Sequence, residues 1–227
     1  MKQQVSITFL LMSVLFVVCL ITSNLLETKV IDAGPLTLTG GLLVFPISYV
    51  LNDCIAEVWG YKKTRLIIWC GFAMNLFVVL IGLLAVQLPA PAYWEDAEHF
   101  NFIFTFAPRI TLASMIAFLS GSFINAIVMS KMKLRHGEKH FSLRAILSTI
   151  AGEGIDSLLF FPIAFGGVIP FVELLKIMGI QVFLKTLYEI IILPITRKVV
   201  KKVKEREGVD VYDSNISYNI LKVRDLD

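Results

Sequence analysis

Residues 40–58 read GGLLVFPISYVLNDCIAEV, an apolar run that carries two acids, Asp53 and Glu57. About 20 apolar residues are enough for a helix to cross the hydrocarbon core of a bilayer. An ionised side chain at mid-bilayer costs about 2.5–3.5 kcal/mol on insertion scales, so each one in such a run demands a reason. A spacing of four places Asp53 above Glu57 on one helical face. The stretch therefore predicts a membrane helix with a polar face turned inward.

Five further runs flank it: Val5–Leu26, Leu66–Leu88, Ile110–Ser130, Ser142–Phe165 and Phe171–Ile195. Breakers and polar clusters separate the six, among them Asp32-Ala33-Gly34-Pro35, Gly60-Tyr61-Lys62-Lys63, Pro89-Ala90-Pro91, 131–139 and Gly166-Gly167. The runs are continuous and lack the period-two alternation of a membrane barrel. Composition agrees: of 227 residues, 56% are hydrophobic and 17% charged, against about 25% charged in soluble domains. Mean hydropathy is +0.76. A secreted disulfide scaffold, a disordered chain and an ordinary cytosolic enzyme are excluded. The expectation is an all-α integral membrane protein with six transmembrane helices. A cleavable leader is not expected, because the first run is longer than a signal h-region and no A-x-A-like site follows it.

Basic residues set the orientation. Lys62, Lys63 and Arg65 follow the second run; Lys131, Lys133, Arg135 and Lys139 lie between the fourth and fifth, and Arg144 falls at the start of the fifth on the same side. Arg197, Lys198, Lys201, Lys202, Lys204 and Arg206 follow the sixth. The opposite side offers only Lys29 and Arg109, beside Glu95, Asp96 and Glu98. Both termini are thus expected in the cytoplasm (N-in/C-in) of a multi-pass plasma (inner) membrane protein. Residues 1–200 would form the transmembrane domain and 201–227 a polar cytoplasmic tail without a strong period. Trp59 with Tyr61, and Tyr93 with Trp94, fit the two interfacial belts. Halves of three spans start on opposite sides, so a 3+3 repeat would be inverted, each half carrying a carboxylate pair in its middle helix. A net charge of +3 does not call for a nucleic-acid partner. Cys19, Cys54 and Cys70 lie in apolar runs and read as small hydrophobes.

Charge within the runs is confined to the second, fifth and sixth. Besides Asp53 and Glu57, Glu153 and Asp156 stand three apart, and Gln181, Lys185 and Glu189 follow at intervals of four. Some of these could be structural: Lys185 could neutralise Glu189 within one helix, Glu57 could reach the interface near Arg65, and polar stripes also join helices. One mid-membrane Lys185 cannot balance Asp53, Glu57, Glu153 and Asp156 together. Such groups share protons or await a cationic, donor-rich guest. They are expected to converge on one wet chamber, which points to a substrate path. Asn24, Asn75 and Asn125 could add hydrogen bonds, and Phe160, Phe161 and Phe165 could stack on a flat ring. Pro46, Pro162 and Pro194 fall in the same three charged runs, where proline bends a membrane helix. The chain has no P-loop, no H-E-x-x-H and no G-x-S-x-G, and His99, His136 and His140 fall in connections. No catalytic residue, metal or cofactor is expected.

The combination of motifs resembles one known family, the queuosine precursor transporters, also called the vitamin uptake transporter family. It is carried by Ser23-Asn24 with Lys29, Phe45-Pro46-Ile47, and Asp53-Cys54-Ile55-Ala56-Glu57-Val58-Trp59-Gly60-Tyr61 with Arg65. In the second half it is carried by Arg144, Ser148-Thr149, Gly152-Glu153, Ile155-Asp156-Ser157, Lys185, Glu189 and Pro194. The resemblance implies import of 7-deazaguanine precursors of the tRNA nucleoside queuosine: 7-cyano-7-deazaguanine, its 7-aminomethyl counterpart or queuine. Asn24, Asp53, Glu57, Glu153, Asp156, Lys185 and Glu189 would then bind substrate. A secondary carrier, with or without proton coupling, and a capture subunit for separate energising subunits both fit the sequence. A lipid-modifying intramembrane enzyme fits it less well, and a homo-oligomer is compatible with it.

Overall fold

The computed structural model describes the chain except residues 1–5, 27, 33–36, 106–107, 138, 168–169 and 223–227. Helix α1 covers Ile7–Leu26, followed by a small hairpin of β1 (Val30–Asp32) and β2 (Thr37–Thr39). A 3-10 turn, Gly40–Leu43, then leads into α2 (Phe45–Val86). Helices α3 (Ala97–Thr105), α4 (Pro108–His136), α5 (Phe141–Phe165) and α6 (Phe171–Glu207) complete the order. Five of these, all but α3, are long and apolar enough to cross a membrane. The start expected at Val5 and the turn expected at Ala33-Gly34-Pro35 lie outside the described residues.

Burial is inverted relative to a soluble protein. Leu11 on α1, Phe77 and Leu84 on α2, and Phe183 and Ile191 on α6 point outward, while Asp53, Glu57, Arg65, Arg144, Glu153 and Glu189 are buried. An apolar exterior around a charged interior is stable only if the exterior meets lipid.

Helix α2 joins the second and third runs. It is two helices that meet at Gly60 (φ 80, ψ 173), so the breaker expected at Gly60-Tyr61-Lys62-Lys63 is there, as a one-residue break and not as a loop. That backbone region is essentially restricted to glycine. The second half needs an N-cap, and Asp213 supplies it: its carboxylate oxygens accept the Tyr61 N–H at 2.9 and 3.1 Å. A cap from 152 residues away leaves no local sequence signal. Gly60→Ala would force φ > 0 on a side chain and drive its Cβ to 2.7 Å from both Asp213 Oδ1 and Val211 Cγ1. A loss of about 2–3 kcal/mol is expected, read as a lower melting temperature in detergent. A melting temperature equal to wild type would contradict this account of the break.

Smaller differences also have local causes. The expected second span begins as a 3-10 turn, and Pro46 sits in the first turn of α2, where its missing N–H disrupts nothing. It starts the helix and does not interrupt it; Pro162 and Pro194 do lie inside α5 and α6. The basic stretches after the fourth and sixth runs extend α4 and α6, since Lys, Arg and Glu favour helix. Helix α6 stops at Gly208, in a left-handed cap at φ 63. Trp59 and Tyr61 do not form an interfacial belt: both are buried, Trp59 edge-on to Phe9 at 5.1 Å and Tyr61 against Tyr218 at 5.0 Å.

Helix α4 packs most extensively on α5, while α2 touches α1, α4 and α6. The α4–α5 crossing is very close: a Cβ at Gly121 would stand 2.9 Å from the Gly152 carbonyl and 2.8 Å from the Tyr49 hydroxyl. Beyond Gly208 the chain turns back onto α2, its Val211 N–H donating to the Val58 carbonyl at 3.1 Å.

Candidate functional site

One face of α2 carries Phe45, Tyr49, Asp53 and Glu57 at successive intervals of four. The first three meet residues of α4, α5 and α6 in the interior. Lys185 crosses from α6 to α5, its Nζ 2.7 Å from Glu153 Oε2 and 3.6 Å from Asp156 Oδ2. The same ammonium sits 4.1 Å from the centre of the Phe45 ring, a distance at which the ring face attracts it. Tyr49 is buried with Glu153, Asp156 and Asp53 as its charged neighbours, so it stands between the acids of α2 and α5.

Asp53 is fully buried and accepts a hydrogen bond from Ser148 Oγ at 3.3 Å. Asn52 donates to Asn125 Oδ1 at 2.8 Å and to the Ser122 carbonyl at 3.3 Å, tying α2 to α4. The Asn125 amide lies beside Asp53 without completing a hydrogen bond to it. Glu189 of α6 is a charged neighbour of Asp53. Among the described residues no cation stands within 4 Å of Asp53 or Glu189. The interior thus holds Glu153 and Asp156 at Lys185 and Asp53 with Glu189 as a second acidic pair, an acidic excess. Among the described residues Tyr49 OH, Thr149 Oγ1, Thr186 Oγ1, Asn125 Nδ2 and Glu189 Oε1 are buried without hydrogen-bond partners.

Glu57 is held elsewhere. Its Oε1 lies 2.7 Å from Arg144 Nη2, 2.8 Å from Lys204 Nζ and 3.9 Å from Lys133 Nζ. Asp210, just beyond α6, joins the same cluster through Lys133 and, at 2.8 Å, Lys204. Arg144, fully buried, also donates to the Gly137 and Lys139 carbonyls, each at 2.7 Å. Arg65 does not pair with Glu57; it donates to the Ser217 and Asn219 carbonyls at 3.1 and 2.8 Å. The predicted site residues therefore fall into two groups, Asp53, Glu153, Asp156, Lys185 and Glu189 in one and Glu57 in the other. Asn24 is half-buried on α1, and no described hydrogen bond joins it to either.

Burial alone would raise the Asp210 carboxyl, but hydrogen bonds from Lys133 and Lys204, and their charge, hold it below the ordinary carboxylate value. A depressed value stabilises the docked state above the free-carboxyl range, about 3.9, and that stability is lost as pH falls through the depressed value. Docking of 208–222 is therefore expected to be constant between pH 8 and 5 and to loosen only in stronger acid. Trp69, whose indole donates to the Ile220 carbonyl at 2.8 Å, reports it in a chain with Trp59 and Trp94 replaced by Phe. A fluorescence transition centred between pH 5 and 8 would contradict the assignment.

Phe45, Tyr49, Asn52, Ser148 and Arg144 were not picked out as site residues from sequence. The 45-49-53-57 spacing was a usable signal for the first two. Phe160, Phe161 and Phe165 pack on one another at 5.1–6.1 Å, and the ring at the ion pair is Phe45.

Comparison with known proteins adds a family. A family model described as "Putative vitamin uptake transporter" matches residues 39–199. A "Probable queuosine precursor transporter" of Bacillus subtilis (strain 168) is 26% identical over 153 residues, 66% of each chain. The "Queuosine precursor transporter" of Escherichia coli (strain K12) is 28% identical over 130 residues, 56% of this chain and 55% of its own. A "Probable queuosine precursor transporter" of Haemophilus influenzae is 27% identical over 127 residues, 56% of this chain and 52% of its own. The matched stretch thus spans between about half and two thirds of these relatives. No solved structure matches.

Proposed function

The chain belongs to the vitamin uptake transporter family, a multi-pass membrane transporter and not an enzyme, and from that premise we propose that it imports queuosine precursors. The substrates would be 7-cyano-7-deazaguanine, 7-aminomethyl-7-deazaguanine or queuine, for salvage into tRNA. The matched relatives support this reading by their names. The observation that carries it is a buried acidic excess: Glu153 and Asp156 share Lys185, while Asp53 and Glu189 are buried with no cation partner among the described residues.

A deazaguanine is flat and offers adjacent N–H donors on its base-pairing edge. An ionised carboxylate is acceptor-only and takes such an edge in two parallel bonds. Asp53 and Glu189 are the acids without a cation partner among the described residues, so they are the candidates to receive it. Glu153 and Asp156 would be released to the substrate only when Lys185 swings away. Phe45 and Tyr49 would bound the ring. Glu57, in its own ion cluster, would hold the helices together near the path.

In the same reading the Gly60 break divides α2 into two crossings, giving six in all with both termini cytoplasmic in the plasma membrane. Helices α1–α2 and α4–α6 would then form two inverted halves within residues 1–200. The carrier would be secondary, a proton on the Asp53–Glu189 pair alternating with the substrate's donors. The test is expression in cells unable to make the precursor, with queuosine measured in their tRNA after feeding 7-cyano-7-deazaguanine. Restored queuosine is expected; none, with the protein present in the membrane, would overturn the proposal. Accumulation by the pure chain in liposomes separates a carrier from a capture subunit, which would bind without accumulating.

A further inference from the structure

Residues 208–222 lie beyond the family match, which ends at 199, yet they are bound into the fold. Asp213, 6% exposed, caps the second half of α2 at the Gly60 break and also accepts from Ser130 of α4. Lys133 of α4 donates to the Val211 carbonyl at 2.7 Å and pairs with Asp210. Tyr218 packs on the Tyr61 ring, its hydroxyl 2.8 Å from Ser130 Oγ, and its carbonyl accepts from Tyr61 OH at 3.2 Å. Arg65 and Trp69 hold the carbonyls of Ser217, Asn219 and Ile220. One short segment is thus fastened to both halves of α2, to α4 and to α6 at the basic end of the molecule.

We propose that residues 208–222 are a strap that closes the cytoplasmic end of the transport path and must leave α2 and α4 before substrate is released inward. This rests on the transport reading above. The position argues for it, since the strap bridges the break at Gly60, where the halves of α2 would pivot, and a pivot cannot work while its two sides are pinned. The chemistry argues for it too. The strap is held by hydrogen bonds from side chains to its own backbone carbonyls and by two aspartates, and Val209, Ile216 and Tyr218 pack on the apolar clusters beside it. Water can replace each hydrogen-bond partner once the segment lifts. Gly208, in a left-handed turn at φ 63, ends α6 and gives the strap its hinge.

The experiment uses the full chain with Lys131→Cys and Tyr218→Cys, whose native side chains approach to 5.2 Å (ammonium to ring centre). With Cys19, Cys54 and Cys70 replaced by alanine in every variant, the two introduced thiols are joined by a short methanethiosulfonate linker in liposomes. Uptake of 7-cyano-7-deazaguanine should fall at least tenfold when the strap is fastened and return on reduction. Equal uptake by linked and reduced protein overturns the strap while leaving the importer intact. Absence of uptake by wild type is the separate failure of the transport reading. A second measurement does not depend on substrate: cytoplasmic-side maleimide labelling of Val211→Cys should quicken at least fivefold when Asp213→Asn is added. Unchanged labelling overturns the strap by itself.

Discussion

Lys185→Met is expected to abolish uptake and to lower the melting temperature in detergent by roughly 10 °C. The ammonium is the partner of Glu153 at 2.7 Å and of Asp156 at 3.6 Å, and it sits 4.1 Å over the Phe45 ring. Removing one member of a buried ion pair leaves the other charge without compensation, at about 3–5 kcal/mol. For a chain of this length 1 kcal/mol corresponds to about 2–4 °C. Methionine fills nearly the same volume, so the effect reports charge and not a cavity. A second substitution separates structure from transport. Lys185→Met with Glu153→Gln removes the stranded charge and should recover more than half of the lost stability. It should not recover uptake, because the alternation between ion pair and substrate is gone. Recovery of both would reduce Lys185 and Glu153 to a structural bridge. Indifference to Lys185→Met would mean that the pair does not form.

The second large effect belongs to the other cluster. Arg144→Met should destabilise the fold by about 3–5 kcal/mol, and the protein should be largely lost from the membrane fraction. The guanidinium serves three acceptors from full burial: Glu57 Oε1 and the carbonyls of Gly137 and Lys139, each at 2.7 Å. It therefore joins α2 to the turn between α4 and α5. Arg144→Lys should rescue poorly, since a single ammonium cannot reproduce the planar fork. Glu57→Gln should also be costly, because Arg144 would lose its carboxylate partner and Lys133 and Lys204 would then share only Asp210. A cluster that tolerates Arg144→Met would not be what holds these helices together.

The membrane class, the helix register and the acids of the interior could be read from the sequence because each leaves a local trace. Asp53, Glu153, Asp156, Lys185 and Glu189 stand out against apolar neighbours, and spacings of three and four assign them to faces. Which acid meets which cation could not be read in the same way. Lys185 and Glu189 have the spacing of an intrahelical pair, yet Lys185 reaches Glu153 and Asp156 on α5, a pairing set by how α6 packs on α5 and not by spacing along one helix. Glu57 looked like a companion of Asp53, one turn away. One turn along a helix is about 5.4 Å, enough to move it from the acidic interior to a layer of cations. Arg144 read as a loop charge because a single sequence does not show that the first turn of α5 is buried. That the break at Gly60 takes a single residue could not be read either: the cap that lets the helix resume at Tyr61 is Asp213, far along the chain. The C-terminal segment looked featureless since strap contacts made by backbone carbonyls have no side-chain pattern.

Asp53 and Glu189, the acids without a cation partner among the described residues, are proposed to meet the substrate. Binding of 7-cyano-7-deazaguanine to purified wild type, Asp53→Asn and Glu189→Gln tests it most directly. Each substitution keeps the shape and removes an acceptor charge, and a charge-assisted hydrogen bond contributes about 1.5–3 kcal/mol. The account predicts that both folded variants bind at least tenfold more weakly than wild type. Wild-type affinity in both would contradict it.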